Sequence, residues 1–190
     1  IWITELGPIG SVRFSSPIAH DLDSNGVEDI IFGAGNTLYA LFGDNGSVMW
    51  SIDLGPIGEI LSTPAIYPST SLKRIVVNSL SSTRQDLKTT TVNFQGEHLN
   101  NVSSRLNYIL TFSGPVPIPV IGDVVGDSLP EIVISYPSTS MGRISVYDYS
   151  LDELIEISDI LGYTDSSCSL GDMDGDSKRE ILIQSKYSTT

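Results

Sequence analysis

Cysteine is nearly absent from these 190 residues: Cys168 is the only one, so no disulfide can form within the chain. Without a partner it is expected to pack as a small apolar side chain in the strand-like run around it. A lone cysteine leaves the compartment open, because many bacterial and archaeal surface proteins do without disulfides. Basic residues are scarce too. Ten Lys and Arg against 23 Asp and Glu give a net charge of −13. That excludes nucleic acid as a partner, since neutralising phosphates takes clustered cations. No run approaches the roughly 18–20 consecutive apolar residues of a membrane helix, so no membrane-spanning segment is expected. Histidine is limited to His20 and His98, neither in a paired motif. No nucleophile elbow is present, and the glycines of GAGNT at 33–37 open no helix and make no dinucleotide loop. The expectation is therefore no enzyme. The chain also starts at Ile1 without a methionine or signal-like segment, as a processed product or an excised piece would.

What is present describes a folded domain. Hydrophobic residues make up 40% and charged residues 17% of the chain, and one domain with one substantial core is expected at this length. The acidity is local. In HDLDSNGVEDI, Asp21, Asp23, Asn25 and Asp29 take positions one, three, five and nine of a loop, and an apolar strand-like run follows at once. GDMDGDSKREI repeats the pattern with Asp172, Asp174, Asp176 and Glu180. A hard divalent cation such as Ca2+ takes six to eight oxygen ligands at roughly 2.3–2.6 Å, and closely spaced carboxylates on a tight loop supply them. Position seven, Val27 or Lys178, would contribute a backbone carbonyl, which leaves its side chain free to vary. A third copy is depleted: Asp123, Asp127 and Glu131 hold positions one, five and nine, but position three is Val125. Ten of the 23 acidic residues hold the named positions of these three loops, a ligand signature more than a solubility device. Carboxylates this rich in neighbours read as saturated structural sites, because a metal that performs chemistry needs an open position.

The loops belong to a longer repeat. Trp2 precedes Leu6-Gly7-Pro8-Ile9-Gly10, and 48 residues later Trp50 precedes Leu54-Gly55-Pro56-Ile57-Gly58. Ser16-Pro17 and Thr63-Pro64 follow in turn. The loops that begin at Asp123 and Asp172 lie 49 residues apart, and Asp21 lies 102 before Asp123, which is two units. The intervening unit carries Pro68, Ser69 and Thr70 where a loop should be, and is expected to bind nothing. Within a unit, apolar runs at 16–20, 29–32, 37–42 and 48–54 are separated by polar turns, Gly43-Asp44-Asn45-Gly46 among them, and such turns signal hairpins. Four hairpin-linked strands in about 45–50 residues describe one blade of a β-propeller. The predicted fold is all-β, with four-stranded antiparallel blades near 16–54, 62–112 and 117–158, and a partial one at 167–190. Two arrangements fit that count. The chain is a piece of a larger propeller, the favoured reading, or a four-bladed ring closed by Ile1–Leu6 against the last blade, with Lys186–Thr190 as that blade's third strand.

DLDSNGVEDIIFG, DVVGDSLPEIVIS and DMDGDSKREILIQ resemble the FG-GAP or VCBS repeats of integrin α-subunit-type propellers. That resemblance implies calcium loops joining the first and second strands of certain blades, held by the residues named above. It also implies a role in adhesion and extracellular recognition. LYALFGDNGSVMW is similar to the tryptophan-docking repeat of pyrroloquinoline-quinone-type propellers, with Ala40, Asn45-Gly46 and Trp50 at the repeated positions. Many proteins with that repeat carry no quinone, and it implies that Trp2 and Trp50 pack one blade on the next. Asn45 and Asn101 head N-glycosylation triplets. The leading expectation is an extracellular or cell-surface calcium-binding module for adhesion, or for recognition of a protein or carbohydrate ligand. One alternative is a self-assembling subunit of a surface layer, filament or envelope. The other is part of a calcium-dependent carbohydrate-active enzyme such as a polysaccharide lyase.

Overall fold

Apolar runs broken by Asp/Asn-Gly turns can satisfy their backbone hydrogen bonds as antiparallel hairpins, and the computed structural model builds the chain from these. It describes residues 1–6, 15–55, 58–67, 71–106, 116–138, 141–161 and 166–185. Among them the regular elements are all strands. The first sheet runs β1 (Ile18–His20), β2 (Asp29–Ala34), β3 (Thr37–Leu41), β4 (Val48–Asp53), in that spatial order. These bounds fall within two residues of the sequence expectation. The third sheet has the same order with β10 (Val120–Gly122), β11 (Glu131–Tyr136), β12 (Met141–Tyr147) and β13 (Glu153–Leu161). Its β13 carries Leu154, Ile155 and Ile157, apolar residues whose spacing by itself fits a strand or a helix.

The second sheet differs at its inner edge. There β5 (Glu59–Ile60) and β6 (Ala65–Tyr67) both pair with β7 (Arg74–Leu80), and β8 (Asp86–Asn93) and β9 (His98–Arg105) complete it. The first strand of this blade is thus split, and the sheet starts three residues before the expected boundary at 62. Ser62 spans the break, its Oγ accepting from Asn78 N at 3.0 Å and donating to Asn78 O at 3.1 Å. The fourth sheet is the hairpin β14 (Ser169–Gly171) and β15 (Glu180–Leu182). Ile1–Leu6 joins no sheet. Trp2 Nε1 of that segment donates to Gly43 O of the first sheet at 2.9 Å. Gly7–Gly10, Pro56-Ile57, the turn Pro68–Thr70 and the expected third strand Lys186–Thr190 lie outside the described residues.

Three apolar cores lie between successive sheets. Ile31, Leu38 and Ala40 of the first sheet meet Ile60, Ile75, Val77 and Val92 of the second. The opposite face of the second, Tyr67, Val76 and Leu87, meets Ile132 and Ile134 of the third. Val133, Ile144 and Val146 then pack on Cys168, with Leu170 and Ile181 against them. Alternation along β7 and β11 sends successive side chains to opposite neighbours, which is why both strands are buried on each face. Polar pins reinforce the stack: Asn78 Nδ2 donates to Pro117 O at 2.8 Å, and the register-equivalent Ser135 Oγ donates to Ser166 O at 3.0 Å.

Trp50 lies across to the second sheet, its Nε1 donating to Phe94 O at 2.8 Å. A Cβ on Gly96 would sit 2.7 Å from its Cδ2, and Gly96 has φ +81°. Trp2 covers Gly46, φ +72°, in the same way. Both tryptophans therefore dock on a left-handed glycine in the following β3–β4-type turn. In the second sheet the Trp50 position is Asn100, whose Nδ2 donates to Ser150 O at 3.0 Å beside left-handed Leu151. A register shift recurs just before this turn in all three complete sheets, after Ala40, Thr91 and Val146.

Candidate metal centres

The three acidic loops join the first strand of a blade to its second: β1 to β2, β10 to β11 and β14 to β15. Each must reverse the chain within eight or nine residues, and each does so with left-handed residues at loop positions four and six. These are Ser24 and Gly26, Gly126 and Ser128, and Gly175 and Ser177. The fold winds the first residue's carboxylate into the middle of that turn. Asp21 accepts from Asn25 N at 3.1 Å and Gly26 N at 2.9 Å. Asp123 accepts from Gly126 N at 2.6 Å and Ser128 N at 2.9 Å, and Asp172 from Gly175 N at 2.7 Å and Ser177 N at 3.1 Å. The ninth residue reaches back to position two. Asp29 accepts from Leu22 N, Glu131 from Val124 N and Glu180 from Met173 N, at 3.0, 2.8 and 2.7 Å.

Carboxylates converge as a result. Asp21, Asp23 and Asp29 bring oxygens within 4.8 Å of one another, as do Asp172, Asp174 and Glu180. The depleted loop achieves the same with Asp123, Asp127 and Glu131, position five standing in where Val125 has taken position three. Asn25 and Asp176 hold position five of the two full loops. Asn25 Oδ1 accepts from Val27 N at 2.7 Å, and Asp176 Oδ1 from Lys178 N at 2.8 Å. Both close a side-chain turn over position seven. Hydrogen bonding lowers the Asp21 carboxyl below the usual carboxylate range, Gly26 N–H foremost. Burial has the opposite effect on Glu131, pushing it up despite the N–H groups of Val124 and Val125. At 4.8 Å, unit charges in water repel by roughly 1 kcal/mol per pair, so each triplet fits a divalent cation.

In the second sheet the position of Asp29, Glu131 and Glu180 is occupied by Arg74. Its Nη1 donates to Tyr149 O of the third sheet at 2.8 Å, with the guanidinium 5.1 Å from the Tyr149 ring. Lys73 beside it reaches Ser24 Oγ in the first acidic loop at 3.0 Å. This unit carries its own cations where its neighbours gather carboxylates. Charge reversal at a fixed place in the repeat is a signal the sequence holds, but only an aligned second strand exposes it. Both sequon residues, Asn45 and Asn101, are exposed. Among the described residues no helix is long and apolar enough to cross a membrane.

No family model matches the chain, and no curated protein matches it. Solved structures do. The rhamnogalacturonan lyase PL11 of Bacillus licheniformis superposes with TM-score 0.61 at 17% identity, over 89% of this chain and 39% of its own. The V. cholerae biofilm matrix protein Bap1 gives 0.57 at 20% identity, over 96% and 30%. BamB from Moraxella catarrhalis gives 0.53 at 14% identity, over 86% and 44%. The chain spans less than half the length of each. At these identities the likeness is one of fold alone: the chain is a stack of β-propeller blades, all-β and antiparallel throughout.

Proposed function

We propose that this chain is a calcium-stabilised β-propeller module that works outside the cell in adhesion or in recognition of a protein or carbohydrate. The observation that carries the metal reading is the shared construction of the three loops. In each, three carboxylates from one turn come within 4.8 Å of one another. Asp21, Asp23, Asn25 and Asp29 would hold one ion and Asp172, Asp174, Asp176 and Glu180 another, with the Val27 and Lys178 carbonyls adding to them. Bound Ca2+ neutralises the carboxylates and fixes the corner between the first two strands of a blade. The residues themselves then need do no chemistry. Asp123, Asp127 and Glu131 would bind more weakly, because Val125 leaves position three without an oxygen ligand. That structural neighbours include a biofilm matrix protein and a rhamnogalacturonan lyase supports a setting rich in surface polymers.

Calorimetric titration of the EDTA-stripped chain with Ca2+, paired with thermal melts, tests this. Two tight sites and a rise in melting temperature are expected. A ligand bound only to the folded state at a hundredfold its Kd adds about 2.7 kcal/mol. Asp21→Ala and Asp174→Ala should each abolish one site. Absence of saturable binding, or loss of both sites from either single change, would contradict the proposal.

A further inference from the structure

At the end of β11 remote from its acidic loop, β9 of the second sheet and β12 of the third enclose a small concavity of about 70 Å3. Arg105, Tyr136, Ser138, Met141 and Arg143 line it. Two of the ten Lys and Arg residues in a chain of net charge −13 thus meet at one place. Tyr136 is a fixed floor: it is 4% exposed, its hydroxyl lies 2.8 Å from that of Tyr147, and Ser104 Oγ donates to it at 3.2 Å. Arg143 lies over that floor, its guanidinium carbon 4.1 Å from the ring centroid. One of its nitrogens, Nη1, donates to Glu156 Oε2 at 3.2 Å. A guanidinium has five N–H donors in a fork suited to an oxyanion, so most of its capacity is left over. Arg105 is exposed and makes no side-chain hydrogen bond or ion pair among the described residues.

The second sheet offers an internal comparison. Lys88 faces Ser79 there as Arg143 faces Tyr136 in the third. Its ammonium is satisfied from within the protein, by Leu54 O at 3.3 Å. Arg143 has a rim carboxylate and an aromatic face instead of that carbonyl, and a second guanidinium opposite. We propose that this concavity binds a single carboxylate, with Arg105 and Arg143 supplying the charged donors. Size sets the limit: a water needs about 10–15 Å3 of such space, so the concavity admits a carboxylate with its waters but not a sugar ring. The ligand is either a small free acid or an acidic saccharide unit that inserts only its carboxylate. This inference does not rest on the metal reading, and its test excludes metal.

The experiment is ligand-observed NMR titration of the whole chain, stripped of metal and then dialysed free of chelator, with acetate, glucuronate and glucose at equal ionic strength. Glucose and glucuronate differ by the carboxylate alone. Acetate binding without glucuronate identifies a small free acid, binding of both identifies an acidic saccharide, and either supports the site. Arg105→Ala, at an exposed position, should weaken binding about tenfold or more, as loss of a charged hydrogen-bond partner does. Arg143→Lys keeps the charge but removes the fork and should weaken it comparably. Glu156→Gln releases Arg143 and should tighten binding up to about fivefold, the scale of an exposed ion pair. No saturable binding of either acid, equal binding of glucose, or unchanged affinity in Arg105→Ala would overturn the assignment.

Discussion

Val125 is the residue that sets the third loop apart, and the structure shows how little else has changed. The left-handed positions, the back-bond from position nine and the converged oxygens are all kept. Restoring the missing ligand should therefore restore the site. Val125→Asp is expected to tighten Ca2+ binding there about tenfold or more, on the scale of one charged ligand, read by calorimetry as a third tight site. In EDTA the same change should lower the melting temperature, since it adds a fourth carboxylate to a crowded turn. Cys168 makes a second residue-scale prediction. It is 4% exposed, and burial raises its thiol to about 11. The proton is held more firmly in the folded state, so this contribution to stability is full below the unfolded value near 8.5–9 and is lost as pH rises through about 11. Thiol-reagent kinetics at pH 8 should be slow in the native chain and fast in urea. Rapid native reaction would contradict the burial. The acidic triplets could be read in the sequence because residue type and spacing alone place their members on one turn. Arg105 and Arg143 could not, being far apart in the chain and brought together by sheet stacking.

Whole elements were legible where composition changes sharply, as at the turns flanking β2, β3 and β4. They were not where a strand is set by its partner. Glu59–Ile60 pairs with Leu80 and Ser79 at the far end of β7, and nothing local in two residues announces it. The tryptophan docking lies between these cases. Trp2 and Trp50 show their interval in the sequence, while Asn100 and Leu151 preserve the contact with unrelated residue types. That contact can be tested at its tightest point. Gly96→Ala puts a Cβ 2.7 Å from the Trp50 ring at φ +81°, combining overlap with backbone strain. A loss of about 2–3 kcal/mol is expected by chemical denaturation. Trp50→Phe keeps most of the ring but loses the bond to Phe94 O, for about 1 kcal/mol. A neutral Gly96→Ala would mean that the ring does not rest on the turn.

Across the whole molecule, stability is shared between neighbours, because each core belongs to two adjacent sheets and no single core serves all four. Architectures of that kind have stability that is roughly a sum of local and nearest-neighbour contributions. Their weakest member opens first. Among the described residues the two-stranded pairing is that of β14 with β15, and two strands by themselves are marginal in water. Among the described residues Cys168 is the fourth sheet's one buried contribution to the shared core. A cation held by Asp172, Asp174 and Glu180, as proposed, would tie these two strands at the corner that joins them. The second sheet is the natural control, with Lys73 and Arg74 bonded to both neighbouring sheets and no acidic triplet among its described residues. Hydrogen exchange with and without Ca2+ separates the two. Protection of the β14–β15 amides should rise severalfold with the ion, that of β1–β2 should rise less, and that of β7–β8 should hardly move. Equal gains in every sheet would mean that the four open as one cooperative unit, and that the cations stabilise the whole fold rather than pinning separate corners.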